Sequence, residues 1–368
     1  MLSIVLSVVV LAGILYLINI NFILPVFLNH IYSRCSKLTQ YDSSNIRPIE
    51  LTPPVDGDDP HGSQLSNYYI KCAYNACASG NFEDGIVEKC ALEKCLKNGS
   101  RGLDFEIYSV NNEPVISCSD NKGEKSVMGT NNNLNFKSIM KYINDNAFTP
   151  SFCPSNHRDP LIINLRIHIE DDSLIEVYNK ISDILASVFE TKLIGRPHIQ
   201  VYSGEFESVG KLPLRDCLKK VIVFVNRDQG VFAESSLRFY TNASFAGVVS
   251  PSSRLYTNSE VQSLDVANFT DYHKEGNMTM TIPDGGKYPR NISFETVHKP
   301  RGISMAFMCN QTKDVYIEEY HRYFSDRGSS FVEKSSGLIA DSPVERVVSD
   351  GYDSQNVDIA GPFNQTNR

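Results

Sequence analysis

Between residues 102 and 226, short runs of apolar residues alternate with stretches whose apolar residues recur at helical spacing. GLDFEIYSV (102–110) and PVISCS (114–119) carry the alternation of half-buried strands, and PLIINLRIHI (160–169) and KVIVFVN (220–226) read as buried strands. NFKSIMKYINDNAF (135–148) and SLIEVYNKISDILASVF (173–189) place apolar residues on one helical face. A chain that returns through a helix between buried strands builds a parallel sheet, so the rhythm predicts an α/β fold. If that sheet closes into a barrel, function belongs at the C-terminal ends of its strands. With 368 residues, 41% of them hydrophobic, a single large core is available. No closely spaced internal repeat is visible, which excludes solenoids and propellers.

The flanks read differently. No charged residue occurs from Met1 to Asn29, a stretch longer than the roughly 20 apolar residues that cross a bilayer, which predicts a transmembrane anchor over 1–29. A cleaved signal peptide would need a basic start and a short apolar core, and neither is present. Arg34, Lys37 and Arg47 follow the stretch and nothing basic precedes it, so the positive-inside rule puts the C-terminal part in the cytosol as a single-pass membrane protein. The N-x-S/T triplets beginning at Asn98, Asn242, Asn268, Asn277, Asn291, Asn310 and Asn364 would be usable only on the lumenal side, which stays open. Residues 30–66, with Pro48, Pro53, Pro54 and Pro60, read as a polar linker, and 341–368 as a disordered tail. Nine cysteines leave three alternatives for Cys72, Cys77, Cys90 and Cys95: two bridges, a metal site, or small buried thiols. A formal charge of −8 and the lack of a basic run exclude nucleic acid as a partner.

The order and spacing of KCLKNGSRGLDFEIYSVNNEPVISCSD, LNFKSIMKYINDNAF and PLIINLRIH resemble the X half of phosphoinositide-specific phospholipase C. LPLRDCLKKVIVFVN and GISMAFMCNQTKDVYIEEYHRYFSDRGSSFVEKSSGLI resemble parts of its Y half. The resemblance implies a distorted (β/α)8 TIM barrel over 67–340, X-like at 67–190 and Y-like at 210–340, preceded by the membrane helix. It also implies a chemistry in which an inositol hydroxyl attacks phosphorus, helped by two imidazoles and a calcium ion on Asn and acidic oxygens.

Placed on that pattern, this chain departs from it. KCAYNAC puts Tyr74 at the first histidine and Asn75 at the metal-ligand Asn; EPVISCS puts Cys118 at the second histidine. RGLDFE keeps carboxylates, Asp104 and Glu106, at both calcium positions, but INLRIH puts Arg166 at the fourth ligand, leaving His168 beside it. Metal-independent bacterial relatives also replace calcium by arginine, yet they keep two histidines. The resemblance thus implies a vestigial calcium site, with calcium weakened by Arg166 and no cofactor expected. VIVFVNR leaves Arg227, without a companion lysine at Val225, for headgroup phosphates, and Thr257 holds a hydroxyl position. Arg166, Arg227 and Thr257 are therefore the candidate ligand-binding residues. Met280 and Ile282 stand where an arginine and a ring-stacking tyrosine would be expected.

Losing an acid–base group removes about 10²–10⁴ in rate, so the reading is a membrane-anchored phosphoric diester hydrolase relative that has become a pseudoenzyme, binding a lipid headgroup or a protein. An ion pair of Arg166 with Asp104 or Glu106 is its expected structural counterpart. Two alternatives stand beside it. One is a phosphodiesterase with altered acid–base residues, drawing on Tyr74, Cys118 or His168, with His157 and His198 as the other imidazoles available. The other is a structural membrane protein, for example of a viral particle.

Overall fold

In the computed structural model, the described residues are 11, 13–17, 38–49, 64–120, 127–169, 174–194, 209–226, 230–245 and 253–338. Eight parallel strands run in chain order round a ring: β1 (Tyr68–Ala73), β2 (Gly102–Val110), β5 (Leu161–Ile167), β6 (Val221–Val225), β7 (Ala243–Ser244), β8 (Ser253–Thr257), β9 (Met278–Ile282) and β10 (Met305–Met308). Every neighbouring pair is hydrogen-bonded except β7 and β8, between which no ladder forms among the described residues. Two antiparallel additions decorate the ring. A hairpin of β3 (Glu113–Ser117) with β4 (Leu134–Asn135) lies against β2, and β11 (Phe331–Glu333) pairs with the start of β1.

Helices of eight residues or more cover the outside: α1 (Lys89–Lys97), α2 (Phe136–Asn146), α3 (Ile175–Phe189), α4 (Ala267–Lys274) and α5 (Val315–Asp326). Each follows from local chemistry. In α2 the Asn135 side chain caps the Ser138 amide, and Phe136, Ile139, Met140 and Ile143 form one buried stripe. In α5, Asp314 caps the Ile317 amide, and Ile317, Tyr320, His321, Tyr323 and Phe324 are buried. β5 is buried throughout, as a strand covered on both faces must be.

The anchor expected over 1–29 lies almost wholly outside the described residues; Leu11 and Gly13–Leu17 are helical and exposed. No helix among the described residues is long and apolar enough to cross a membrane. Residues 38–49, within the stretch read as linker, pack on the barrel, with Ile46 fully buried. The tail from 341 lies outside the described residues. Of the cysteine quartet, Cys72, Cys77 and Cys95 are free and buried while Cys90 is disulfide-bonded. The two-bridge alternative within the quartet therefore does not occur, and no metal-holding cluster of His, Cys, Asp and Glu exists among the described residues.

Candidate active site

Alternation along β2 turns Asp104 and Glu106 to the same face, two residues apart. The β2–β5 register sets Asn164 beside Asp104 and Arg166 beside Glu106. These facts alone bring two carboxylates and a guanidinium together inside the ring. Arg166 grips Asp104 with two parallel bonds, Nε to Oδ1 at 2.9 Å and Nη2 to Oδ2 at 2.8 Å. Its Nη2 also stands 3.0 Å from Glu106 Oε1. This fork-on-carboxylate geometry is the strong form of the interaction.

The remaining lone pairs are occupied as well. Asp104 accepts from Asn164 Nδ2 at 2.8 Å and from the Asn75 amide at 3.0 Å. Glu106 accepts from Asn75 Nδ2 at 2.9 Å, from Tyr108 Oη at 2.7 Å and from the Ser119 amide at 2.7 Å. Asn75 adopts φ +41°, a left-handed conformation that Asn tolerates, and this lets its backbone and side chain both donate inward. Its Oδ1, the atom a cation would need, is buried without a hydrogen-bond partner among the described residues.

Tyr74 closes the cluster from above, with the Arg166 guanidinium 4.5 Å from its ring centroid. Phe82, fully buried on the loop after β1, packs on Tyr74 at 5.8 Å between centroids. That loop is pinned, because the Phe82 amide donates to the Lys287 carbonyl and Asn132 exchanges two bonds with Val87. Gly129 is needed beneath it, since a Cβ there would meet the Phe82 carbonyl oxygen at 2.0 Å. A cavity of about 490 Å³ opens on the same loop, lined by Ser79, Gly80, Asn81, Asp84, Gly85 and Asn131. None of Asp104, Glu106 and Arg166 lines it.

The electrostatics match this closure. Asp104 and Glu106 are fully buried and Arg166 is 3% exposed. Burial pushes the Glu106 carboxyl up, but Arg166 chiefly, with His168, Asn75 and Tyr108, outweighs it and holds the carboxyl below its ordinary value. Burial pulls the Arg166 guanidinium down, and Asp104, Tyr74 and Glu106 more than reverse that. Burial pushes both the Tyr74 hydroxyl and the Cys118 thiol well up, so neither group is an activated acid or base near neutral pH. His168 Nε2 lies 3.8 Å from Glu106 Oε2 with its ring stacked on Tyr108.

A calcium ion does not fit this donor set. Each carboxylate oxygen already takes two donors, and the guanidinium already supplies the positive charge beside them. The structure thus gathers Tyr74, Asn75, Asp104, Glu106, Arg166 and Cys118. It does not gather Thr257, which caps the short helix Asn258–Ser263 in a reciprocal bond pair with Glu260. Arg227 and His198 lie outside the described residues, and His157 sits in the turn before β5, bonded to the Pro154 carbonyl. Sequence reasoning missed Asn164, Tyr108 and Phe82. Asn164 was findable, two residues before Arg166 on the same face of one strand; the Phe82 contact depends on a loop fold that no local signal specifies.

Residues 62–227 match the family described as Phosphatidylinositol-specific phospholipase C, X domain. No curated protein matches the chain significantly in sequence. Among solved structures, PLC21 of L. pealei is similar at 16% identity and a TM-score of 0.59, over 76% of this chain and 38% of that one. PLC21 of S. officinalis is similar at 15% identity and 0.60, over 78% and 39%. This chain therefore spans about two fifths of the length of those proteins, and at such identity the likeness speaks for the fold. Over the second half of the ring, which the X-domain match does not reach, it is a likeness of fold alone. Residues 62–227 thus belong to the phosphatidylinositol-specific phospholipase C X-domain family, set in a ring of parallel strands that runs on to β10.

Proposed function

We propose that this chain is a membrane-anchored member of the family that has given up phosphodiester hydrolysis and acts by binding. One observation carries the reading: the Arg166 guanidinium fills the space between Asp104 and Glu106 under a lid of Tyr74 and Phe82. Hydrolysis by the family's route needs an imidazole acid, an imidazole at the phosphorane and a cation open to phosphate. Here the first two positions hold a phenol and a thiol, and the cation's charge is spent within the protein. The same closure argues against the altered-phosphodiesterase reading, because a phosphate held by Arg166 would have to displace both carboxylates. A binding role then falls to the outer surface, with a lipid headgroup or a protein as partner.

The anchor reading rests on the uncharged run 1–29 and on the exposure of its described apolar residues, Leu11, Ile14, Leu15, Tyr16 and Leu17. For the cytosolic side speak Arg34, Lys37 and Arg47. So does the burial of Asn98, Asn242, Asn277 and Asn291, which removes four of the glycosylation triplets from reach. The Cys90 disulfide pulls towards an oxidising compartment. A purely structural membrane role would share the anchor and the sealed barrel, and differs in binding nothing.

The test is release of water-soluble inositol phosphate from mixed micelles of detergent, phosphatidylinositol and phosphatidylinositol bisphosphate by the full chain, with calcium and with chelator. The expected result is no release in either condition, and measurable release from a Tyr74→His/Cys118→His/Arg166→Glu variant in calcium. Turnover by the unaltered chain would overturn the reading.

A further inference from the structure

Residues 38–49 form a strap on the barrel, and its two halves are held differently. In the first half the Leu38 carbonyl accepts from Lys94 Nζ, and the Gln40 side chain and the Tyr41 amide both donate to Asn98 Oδ1. Ser43 Oγ donates to the Lys97 carbonyl at 2.7 Å, and the Tyr41 ring stacks on His321 at 3.9 Å. These contacts are polar or confined to one ring, and residues 38–45 are half-buried or exposed. The second half is rooted. Ile46 is fully buried, the Arg47 amide donates to the Gly328 carbonyl at 2.9 Å, and the Ile49 amide donates to Asp159 Oδ1 at 2.8 Å.

Followed backwards from Ser43 to Leu38, the strap climbs α1 from Lys97 and Asn98 at its end to Lys94. One turn further along the same helix face is Cys90, half-buried and disulfide-bonded. Seven of the other eight cysteines are free and buried, and Cys35 is the eighth. Cys35 precedes Leu38 by three residues, a reach of about 10 Å. Cys90 lies about 6 Å from Lys94 along the helix, so the chain is long enough to bridge them. We propose that a disulfide between Cys35 and Cys90 clamps the first half of the strap to α1, and that reducing it frees that half while the rooted half stays docked. A dithiol reductant would give the bond two electrons and two protons, leaving two thiols here and a disulfide on itself. The place of the clamp gives it reach. Cys90 opens α1 directly after the loop that carries Phe82, and the Glu88 amide ties that junction to the Cys77 carbonyl at 2.7 Å. The N-terminal apolar run is thereby joined covalently to the end of α1 beside the closed site, through a bond that involves none of Asp104, Glu106 and Arg166.

Trypsin digestion of the full chain in detergent micelles, without reduction, tests the pairing. Cleavage after Arg34, Lys37, Lys89 and Lys94 should yield peptide 35–37 joined to peptide 90–94, the two separating in dithiothreitol. Recovery of either cysteine as a free thiol, or of Cys90 joined to any other cysteine, would overturn it. Hydrogen exchange tests the clamp. On reduction the Tyr41 amide should exchange about tenfold faster, while the Arg47 and Ile49 amides stay within about twofold of their former rates. Cys35→Ser, which leaves α1 untouched, and Cys90→Ser should both reproduce that pattern without reductant. An unchanged Tyr41 rate would show that the strap needs no clamp, and equal acceleration at all three amides would show that it leaves as one piece; either result overturns the proposal.

Discussion

Arg166 owes its partners to register. Because β2 and β5 pair with Glu106 opposite Arg166, no loop has to move for the guanidinium to reach both carboxylates. Three charges in a nearly dry interior are costly to desolvate, and only mutual pairing with every remaining lone pair filled offsets that. The cluster meets the condition at Asp104 and Glu106, and leaves Asn75 Oδ1 as its one orphan among these residues. Arg166→Met keeps the length of the side chain while stranding two buried carboxylates, so it should destabilise the protein by about 3–5 kcal/mol in urea unfolding. A loss under about 1 kcal/mol would mean that the pair is open to water in solution.

At the scale of elements, much was legible. GLDFEIYSV became β2 at its full span, and the segments 135–148, 160–169, 173–189 and 220–226 became α2, β5, α3 and β6 with ends shifted by at most two residues. Period-2 and period-3.6 patterns survive because these elements bury one face or two in one continuous core. The site was legible where chemistry lies on regular strands: Asp104, Glu106 and Arg166 follow from alternation and pairing. Legibility failed where contacts are long-range and irregular. The Phe82 loop, the docked strap and the Cys90 bridge carry no periodic signal, and Pro48 with its polar neighbours reads as linker although Ile46 is buried two residues earlier. Thr257 carries a local signal of its own. Its run Thr257-Asn-Ser-Glu260 is itself a capping-box signature, and the resemblance drew attention to a ligand role instead.

Across the whole molecule, buried bases set the response to acid. Burial, with Lys334 nearby, pulls His273 down to about 3, and burial, with Arg301 nearby, does the same to His298. Both fold uncharged, whereas the unfolded chain protonates them below about 6.5, so stability is lost as pH falls from about 6.5 towards 3. Burial pulls Lys71 and Lys334 down to about 7, so unfolded amines bind more protons from there to about 10.5, and stability rises over that range. Asp159 opposes this: burial pushes its carboxyl up to about 6, so it favours the folded state as pH falls from about 6 towards 4. One carboxyl against three imidazoles, His321 being pulled down by burial as well, and two amines leaves the melting temperature rising from about pH 5 to pH 8. Above that the buried thiols, pushed up by burial, oppose the amines. His298→Gln should flatten the rise between 5 and 6.5, and Lys71→Met the rise above 7; a melting temperature that falls over pH 5–8 would contradict the assignment.

Function turns on whether Arg166 permanently holds the place a cation would take. Calorimetric titration of calcium into the full chain, beside an Arg166→Gln variant, asks that most directly. No heat above dilution from the unaltered chain is predicted, with binding appearing in the variant once the guanidinium is removed. Stoichiometric calcium binding by the unaltered chain, at an affinity that Arg166→Gln leaves unchanged, would contradict the account.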